Sequence, residues 1–318
     1  MYELGYCYNE LKQYKDAADI LEKATLLDKN NAKVCFELGY AYDLQDKFDI
    51  ALKHYRRYIL LKPDDKSVYK NIGDVYYITK KYEDALKNYD TYLNAGSPLI
   101  DYYYKAGWSC NELGYYDRAL SYFGLFNPSD SVSKAKKYVE SGYSYYKKGE
   151  NNSAIDAYSK ALLYSPKYSA AYSGLGNVYK YALKQYDDAI KNYEYAIRYD
   201  EANYKSVYYE LGYLYNEQKR YDDAISILLK AIDYEPRFSG AREELGYAYY
   251  IKARDSEAEY QLKKSIELDP KAKASYYYLG LLYCAQKKKT EALQMLQKLK
   301  ELKSTTNADA LQKKIDAL

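Results

Sequence analysis

Glycine recurs along this chain on a fixed ruler. It stands at Gly5, Gly39, Gly73, Gly107, Gly142, Gly176, Gly212, Gly246 and Gly280, and successive positions differ by 34, 34, 34, 35, 34, 36, 34 and 34. Alanine follows the glycine at one constant offset in eight units, from Ala17 to Ala292, and one position later at Ala189. Composition cannot place two residue types at a constant separation eight times in nine units. Self-similarity of this period marks stacked units, each too small to bury its apolar face alone. The 318 residues are therefore expected to form one elongated array rather than two or three globular domains.

Residues 208–236 show the unit most clearly. One helical pattern ends near Gln218, a second starts near Tyr221, and Pro236 closes the unit. Proline removes a backbone donor and blocks helix continuation, and the same stop recurs at Pro63, Pro166 and Pro270. Glycine and alanine at facing positions are expected to let the two helices approach near the lower end of the roughly 8–10 Å range. Leu211, Tyr215, Leu228 and Ile232 would pack around them.

Leu211, Gly212, Tyr215, Ala224, Leu228, Ala231 and Pro236, in a unit of this period, resemble the tetratricopeptide repeat family. The resemblance spans essentially the whole chain. It implies an all-α solenoid, a right-handed superhelix of helix pairs with a C-terminal capping helix. Pentatricopeptide repeats, which read RNA, have a similar helix pair but a period longer by one, which occurs here once. Repeats one to four are expected over 1–127, five to nine over 128–306, and the capping helix over 307–318, where Ala308, Leu311, Ile315 and Leu318 share one helical face.

Departures from the unit suggest where the array bends. The small residue near the end of the second helix (Ala24, Ala161, Ala196, Ala231) becomes Tyr58, Tyr92 and Phe126 in repeats two to four, which should alter the local pitch. Repeat four stops early at Phe126-Asn127-Pro128, so residues 127–133 are expected to form a kink or hinge. One extra residue within 181–185 and another within 201–204 are expected to alter loops only. Met1 falls inside the first repeat's helix, which lacks its opening turn. The chain is thus read as a piece of a longer protein or one whose reading begins late, with apolar surface at the first repeat open to self-association.

Charge excludes some partners. Against 48 basic residues stand 45 acidic ones, without the basic stripe of a nucleic-acid binder, and Lys287-Lys288-Lys289 falls in the last repeat's turn. No apolar run is long enough for membrane insertion. Cys7, Cys35, Cys110 and Cys284 lack metal-ligand spacing, lie in first helices and fit packing in a reducing, cytoplasmic setting. The single histidine, His54, is expected to pack or face solvent. No catalytic, cofactor-binding or metal-binding motif is present, and no cofactor is expected. Asp187-Asp188 and Asp222-Asp223 sit at helix starts, where the dipole accounts for them.

Tyrosine remains unexplained, at 49 residues. One set stands three residues after the glycine (Tyr42 and Tyr215 among them) and is assigned to packing. In the family the residue after the glycine points into a concave groove. That slot here holds Tyr6, Tyr40, Trp108, Tyr143, Asn177, Tyr213 and Tyr247. Tyr104 and Tyr209 stand three residues before the glycine, and Asn111, Tyr146, Asn216 and Tyr250 four after it. Offsets of three and four residues share a helical face. Fold packing asks nothing particular of the slot after the glycine, whereas tyrosine and tryptophan supply rigid, amphipathic contact area. The expected function is a non-catalytic scaffold binding a peptide segment or partner helix, with Asn111 and Asn216 on the peptide backbone. Alternatives are the substrate-recruiting arm of an enzyme whose catalytic domain lies elsewhere, and a glycan-binding groove. A family-type carboxylate clamp is not expected, because Asp74 follows Lys70 and Glu140 stands where a cation is required.

Overall fold

The computed structural model describes residues 1–96 and 98–318. Every regular element among them is a helix. They form two compact units, 1–166 and 167–318. In the first unit the pairs are Tyr2–Glu10 with Tyr14–Leu27, Ala32–Asp43 with Phe48–Leu61, and Tyr69–Ile78 with Tyr82–Leu93. Asp101–Glu112 with Tyr116–Leu125 and Ser131–Lys147 with Asn151–Tyr164 complete it. The second unit pairs Ser169–Asn177 with Tyr186–Tyr199 and Val207–Glu217 with Tyr221–Tyr234. Ser239–Ile251 with Asp255–Leu268 and Lys273–Ala285 with Lys289–Glu301 follow, and Thr305–Asp316 comes last.

The two small residues have different tasks. All nine alanines of the ruler are fully buried. Glycine, however, does not mainly face alanine: in every repeat but the last it faces a large side chain of its own second helix. A Cβ at Gly39, Gly73 or Gly107 would stand 2.6, 2.5 and 2.6 Å from the rings of Tyr55, Tyr89 and Phe123. In repeats one, seven and eight the occupant is Leu21, Leu228 or Leu262. The missing Cβ is the seat for that side chain, which corrects the simple picture of small against small.

Three of the tyrosines three after the glycine bridge repeats. Tyr42 Oη donates to Glu22, and Tyr215 and Tyr283 donate to Glu194 and Glu259 at 2.7 and 3.1 Å, each acceptor on the preceding second helix. The bulky residues of repeats two to four find places as well. Tyr58 packs on Phe36 and Phe126 on Tyr104, within their own repeats, while Tyr92 lies edge-on to Tyr102 of the next.

The kink expected at 127–133 falls inside the first unit. There Tyr116–Leu125 ends, and Asp130 caps Ser131–Lys147 by accepting from the Ser133 amide at 2.8 Å. Repeat six differs from expectation. Its extra residue does not lengthen a loop; it is absorbed in a π-helical turn, Val178–Leu183, that continues Ser169–Asn177. Widening one turn to i→i+5 bonding keeps the flanking backbone paired, which an exposed bulge would not. The residue added within 201–204 becomes a one-turn helix, Glu201–Tyr204, capped by Asp200. At the end of the chain Ala308, Leu311 and Ile315 are buried, and Leu311 fills the space beside Gly280. Leu318 lies beyond the helix end and is exposed rather than packed.

Candidate functional site

Four of the six aromatic residues that follow the glycines are framed by rings from the neighbouring repeat. Tyr40, Tyr143 and Tyr247 stand edge-on to Tyr14, Tyr116 and Tyr221, with centroids 6.2, 6.3 and 6.1 Å apart. Trp108 lies 5.0 Å from Tyr77 and 5.3 Å from Tyr82. Tyr14, Tyr82, Tyr116 and Tyr221 all stand nine residues after a glycine and open their second helices. Sequence reasoning missed this set, although its constant offset was readable. Tyr247 is additionally held by Tyr278 at 4.7 Å. These rings remain partly exposed, and Tyr6 is 40% exposed.

Other residues of the expected set are committed elsewhere. Tyr104 packs on Phe123 and Phe126, between the helices of its own repeat. Asn177 accepts from the buried Tyr193 hydroxyl at 2.7 Å. Tyr209 packs tilted against Phe238 at 4.7 Å, where the two help line a cavity of about 260 Å³. Tyr146 and Tyr250 are partly buried, and burial raises both phenols.

Asn111 and Asn216 are not free amides. They are 3% and 4% exposed and reach into the next repeat. Asn216 Nδ2 donates to the Glu244 backbone oxygen at 3.0 Å and to its Oε2 at 2.8 Å. Asn111 Nδ2 makes the same pair of bonds to Glu140, both at 3.2 Å, and accepts from Ser144 Oγ at 2.6 Å through its own Oδ1. Asn9 repeats the motif on Glu37, at 3.1 and 2.7 Å. Each glutamate stands two residues before its glycine, so an asparagine–glutamate clamp ties successive first helices. A buried amide already bonded in this way has no donor left for a peptide backbone.

The clamp fixes carboxyls in poor solvent. Burial pushes Glu140 and Glu244 up to about 7 against the opposing asparagine bond, and it raises Glu37 as well. Asp74 is held differently, accepting from Tyr89 at 2.8 Å, Tyr102 at 2.9 Å and Lys105 at 2.6 Å. Lys70 lies over Tyr92 at 5.7 Å. In repeat six the clamp position is Lys180, 6% exposed, which forms an ion pair with Glu210 and lies 4.4 Å from the Tyr213 ring.

His54 stacks on Tyr42 at 5.8 Å, and burial lowers its pKa; it borders a cavity of about 480 Å³ with Asp19, Glu22 and Lys23. Cys7 is exposed, whereas Cys35, Cys110 and Cys284 are buried, all as free thiols. Among the described residues no cluster of three or more metal-ligating side chains occurs, and no helix is long and apolar enough to cross a membrane.

Paired helices on a fixed ruler, with a glycine seat and a buried alanine in each repeat, define a tetratricopeptide-repeat solenoid. Family models agree: tetratricopeptide repeat models match residues 1–31, 36–99, 178–240 and 274–302, and a TPR repeat model matches 142–180. The chain belongs to the tetratricopeptide repeat family, whose members are generally non-catalytic scaffolds for protein–protein interaction. It is 42% identical over 74 residues to mitochondrial import receptor subunit TOM34 from Pongo abelii, and spans about a quarter of that protein's length, 24%. The match covers 23% of this chain. Among solved structures, YrrB, described as a TPR protein with an unusual peptide-binding site, is 26% identical with a TM-score of 0.53. That match covers 56% of this chain and 92% of YrrB. The C-terminal part of a TPR repeat-containing protein from Cytophaga hutchinsonii covers 88% of this chain and 99% of its own. At 17% identity and a TM-score of 0.56 it shows the fold alone.

Proposed function

We propose that this chain is a non-catalytic scaffold that holds a peptide segment, or a helix of a partner protein, on the face of its first helices. The setting of Trp108 carries the reading. Tyr77 and Tyr82 fix the indole from two sides while part of it stays open to solvent. A large ring with few rotamers left to lose, supported by rigid neighbours, is the kind of residue that concentrates binding energy. Tyr143 continues the face in the next repeat, and Tyr40, Tyr213 and Tyr247 occupy the equivalent slot in theirs. The peptide-binding site attributed to YrrB supports the same use of the fold.

Affinity purification with the wild-type chain and with the Trp108→Ala/Tyr143→Ala double variant tests the proposal. The variant should lose its partners, with affinity falling by about tenfold or more, while far-UV circular dichroism stays unchanged. Partners retained in full by a folded double variant would refute it.

A further inference from the structure

The second unit contains one site where a lysine is already held by a glutamate and tyrosines, and one repeat on a second site where the glutamate and one of the tyrosines recur without the lysine. In repeat six Lys180 stands four residues after Gly176. Its ammonium pairs with Glu210 of the next repeat and lies over Tyr213 at 4.4 Å and Tyr181 at 4.9 Å. A carboxylate at one side and tyrosine faces at the other make a cation seat, since ring quadrupoles attract ammonium and guanidinium groups.

One repeat further on, Glu244 takes the place of Glu210, and Tyr247 that of Tyr213. The clamp residue is now Asn216, which is neutral. Its Nδ2 is bonded to Glu244, while its Oδ1 is buried without any donor among the described residues. The surroundings are acidic and aromatic: after burial, which raises the Glu244 pKa most, Glu243 and Glu217 raise it further, and Glu244 itself acts on Tyr209, Tyr213, Tyr247 and Tyr278. Lys180, the cation that acts on Glu244, is already engaged by Glu210. A buried acceptor with no donor and a carboxylate whose nearby cation is spoken for, set among tyrosines, are what a second lysine would satisfy here.

We infer that Glu244, Tyr247 and Asn216 receive a lysine or arginine side chain from a basic segment of a partner protein, held by carboxylate and ring as Lys180 is held one repeat earlier. The inference rests on the scaffold reading above and names the chemistry of its ligand. It also sets the occupant apart from the chain as a whole, whose net charge is +3: the local carboxylates, not the overall balance, choose the partner. Because an incoming ammonium favours the ionised carboxylate, binding should strengthen as pH rises from about 6 to about 8.

The test uses the full chain and fluorescence anisotropy with labelled peptides of one length: lysine-rich, the same peptide with every lysine acetylated, and glutamate-rich. The lysine-rich peptide should bind about tenfold or more tightly than its acetylated form. Glu244→Gln, which keeps the asparagine bond and the side-chain shape, should remove that preference. Lys180→Met should enhance binding, since it frees Glu210 and Tyr213 for a second ligand cation. Equal binding of the acetylated peptide, or an undiminished preference in a folded Glu244→Gln variant, would overturn the inference. Spermidine competing as well as the peptide would also overturn it, by moving the occupant to a small polyamine. If the neutral or acidic peptide binds in a Tyr213- and Tyr247-dependent manner, the scaffold reading survives and only the cation seat falls. If no peptide binds, while partners are still captured through Trp108 and Tyr143, the cation seat again falls alone.

Discussion

At the residue scale, one substitution has opposite consequences at two helical glycines. Gly107 gives its missing Cβ volume to Phe123, whose ring carbon would lie 2.6 Å from the added methyl. Phe123 is fully buried and cannot retreat without moving its neighbours. Gly107→Ala should therefore destabilise the chain by about 1–3 kcal/mol through overpacking. Gly124 has nothing within 4 Å of its Cβ direction, and it borders a cavity of about 500 Å³ left beside the short second helix of repeat four. There Gly124→Ala should stabilise by about 0.5 kcal/mol, because alanine lowers the entropy lost on forming helix. Urea denaturation midpoints of the two variants check both signs; a shift in the same direction for both would contradict the argument. The ruler of nine glycines was legible in the sequence, and Gly124 lies off it. What the sequence did not disclose was the partner of each glycine, because the contact joins residues on different helices and follows from side-chain volume rather than from periodicity.

Between elements, successive first helices are joined by the asparagine–glutamate clamp at Asn9–Glu37, Asn111–Glu140 and Asn216–Glu244. The nearly constant separation of the two residues was present in the sequence, but asparagine on a presumed groove was read by its free-amide chemistry. Burial decides otherwise, and a single repeat cannot reveal burial by the next. The extra residue of repeat six was likewise visible, whereas its absorption into a π turn depends on backbone pairing that no residue type announces. The clamp makes stability depend on pH. Glu140 and Glu244 titrate near 7 when folded and in the ordinary carboxylate range when unfolded, so between those limits the folded chain retains protons that the unfolded chain has lost. Their contribution is complete at low pH and disappears as pH rises through about 7. Asp43, raised to about 6 by burial, adds the same sign, while half-buried His54, its pKa lowered by desolvation, opposes it. Stability should thus fall between about pH 5 and about pH 8 by more in the wild type than in a Glu140→Gln/Glu244→Gln variant. Denaturation midpoints measured across that interval test this, and parallel pH profiles for the two proteins would contradict it.

On the scale of the whole molecule, a solenoid has no single core, so stability is a sum of repeats and of contacts between neighbours. Hydrophobic clusters follow that rule: one joins residues of repeats one to three, another repeats three and four, and a third runs from repeat six to the terminal helix. Damage should therefore spread from its origin and fade along the chain. The terminal helix Thr305–Asp316 offers the clearest case, because Leu311 and Ile315 are almost wholly buried and Leu311 fills the seat beside Gly280. In the other repeats a side chain of the repeat's own second helix takes that seat, so repeat nine alone depends on a later element to complete its glycine contact. Replacing Leu311 with alanine should cost about 2–5 kcal/mol locally, as for other large-to-small changes in tight packing. Amide hydrogen exchange should then accelerate most in Lys273–Ala285 and Lys289–Glu301, less in Asp255–Leu268, and not at all in Tyr2–Glu10 or Tyr14–Leu27. Uniform acceleration over all repeats would mean that the chain unfolds as one cooperative body, and the nearest-neighbour account of this array would have to be abandoned.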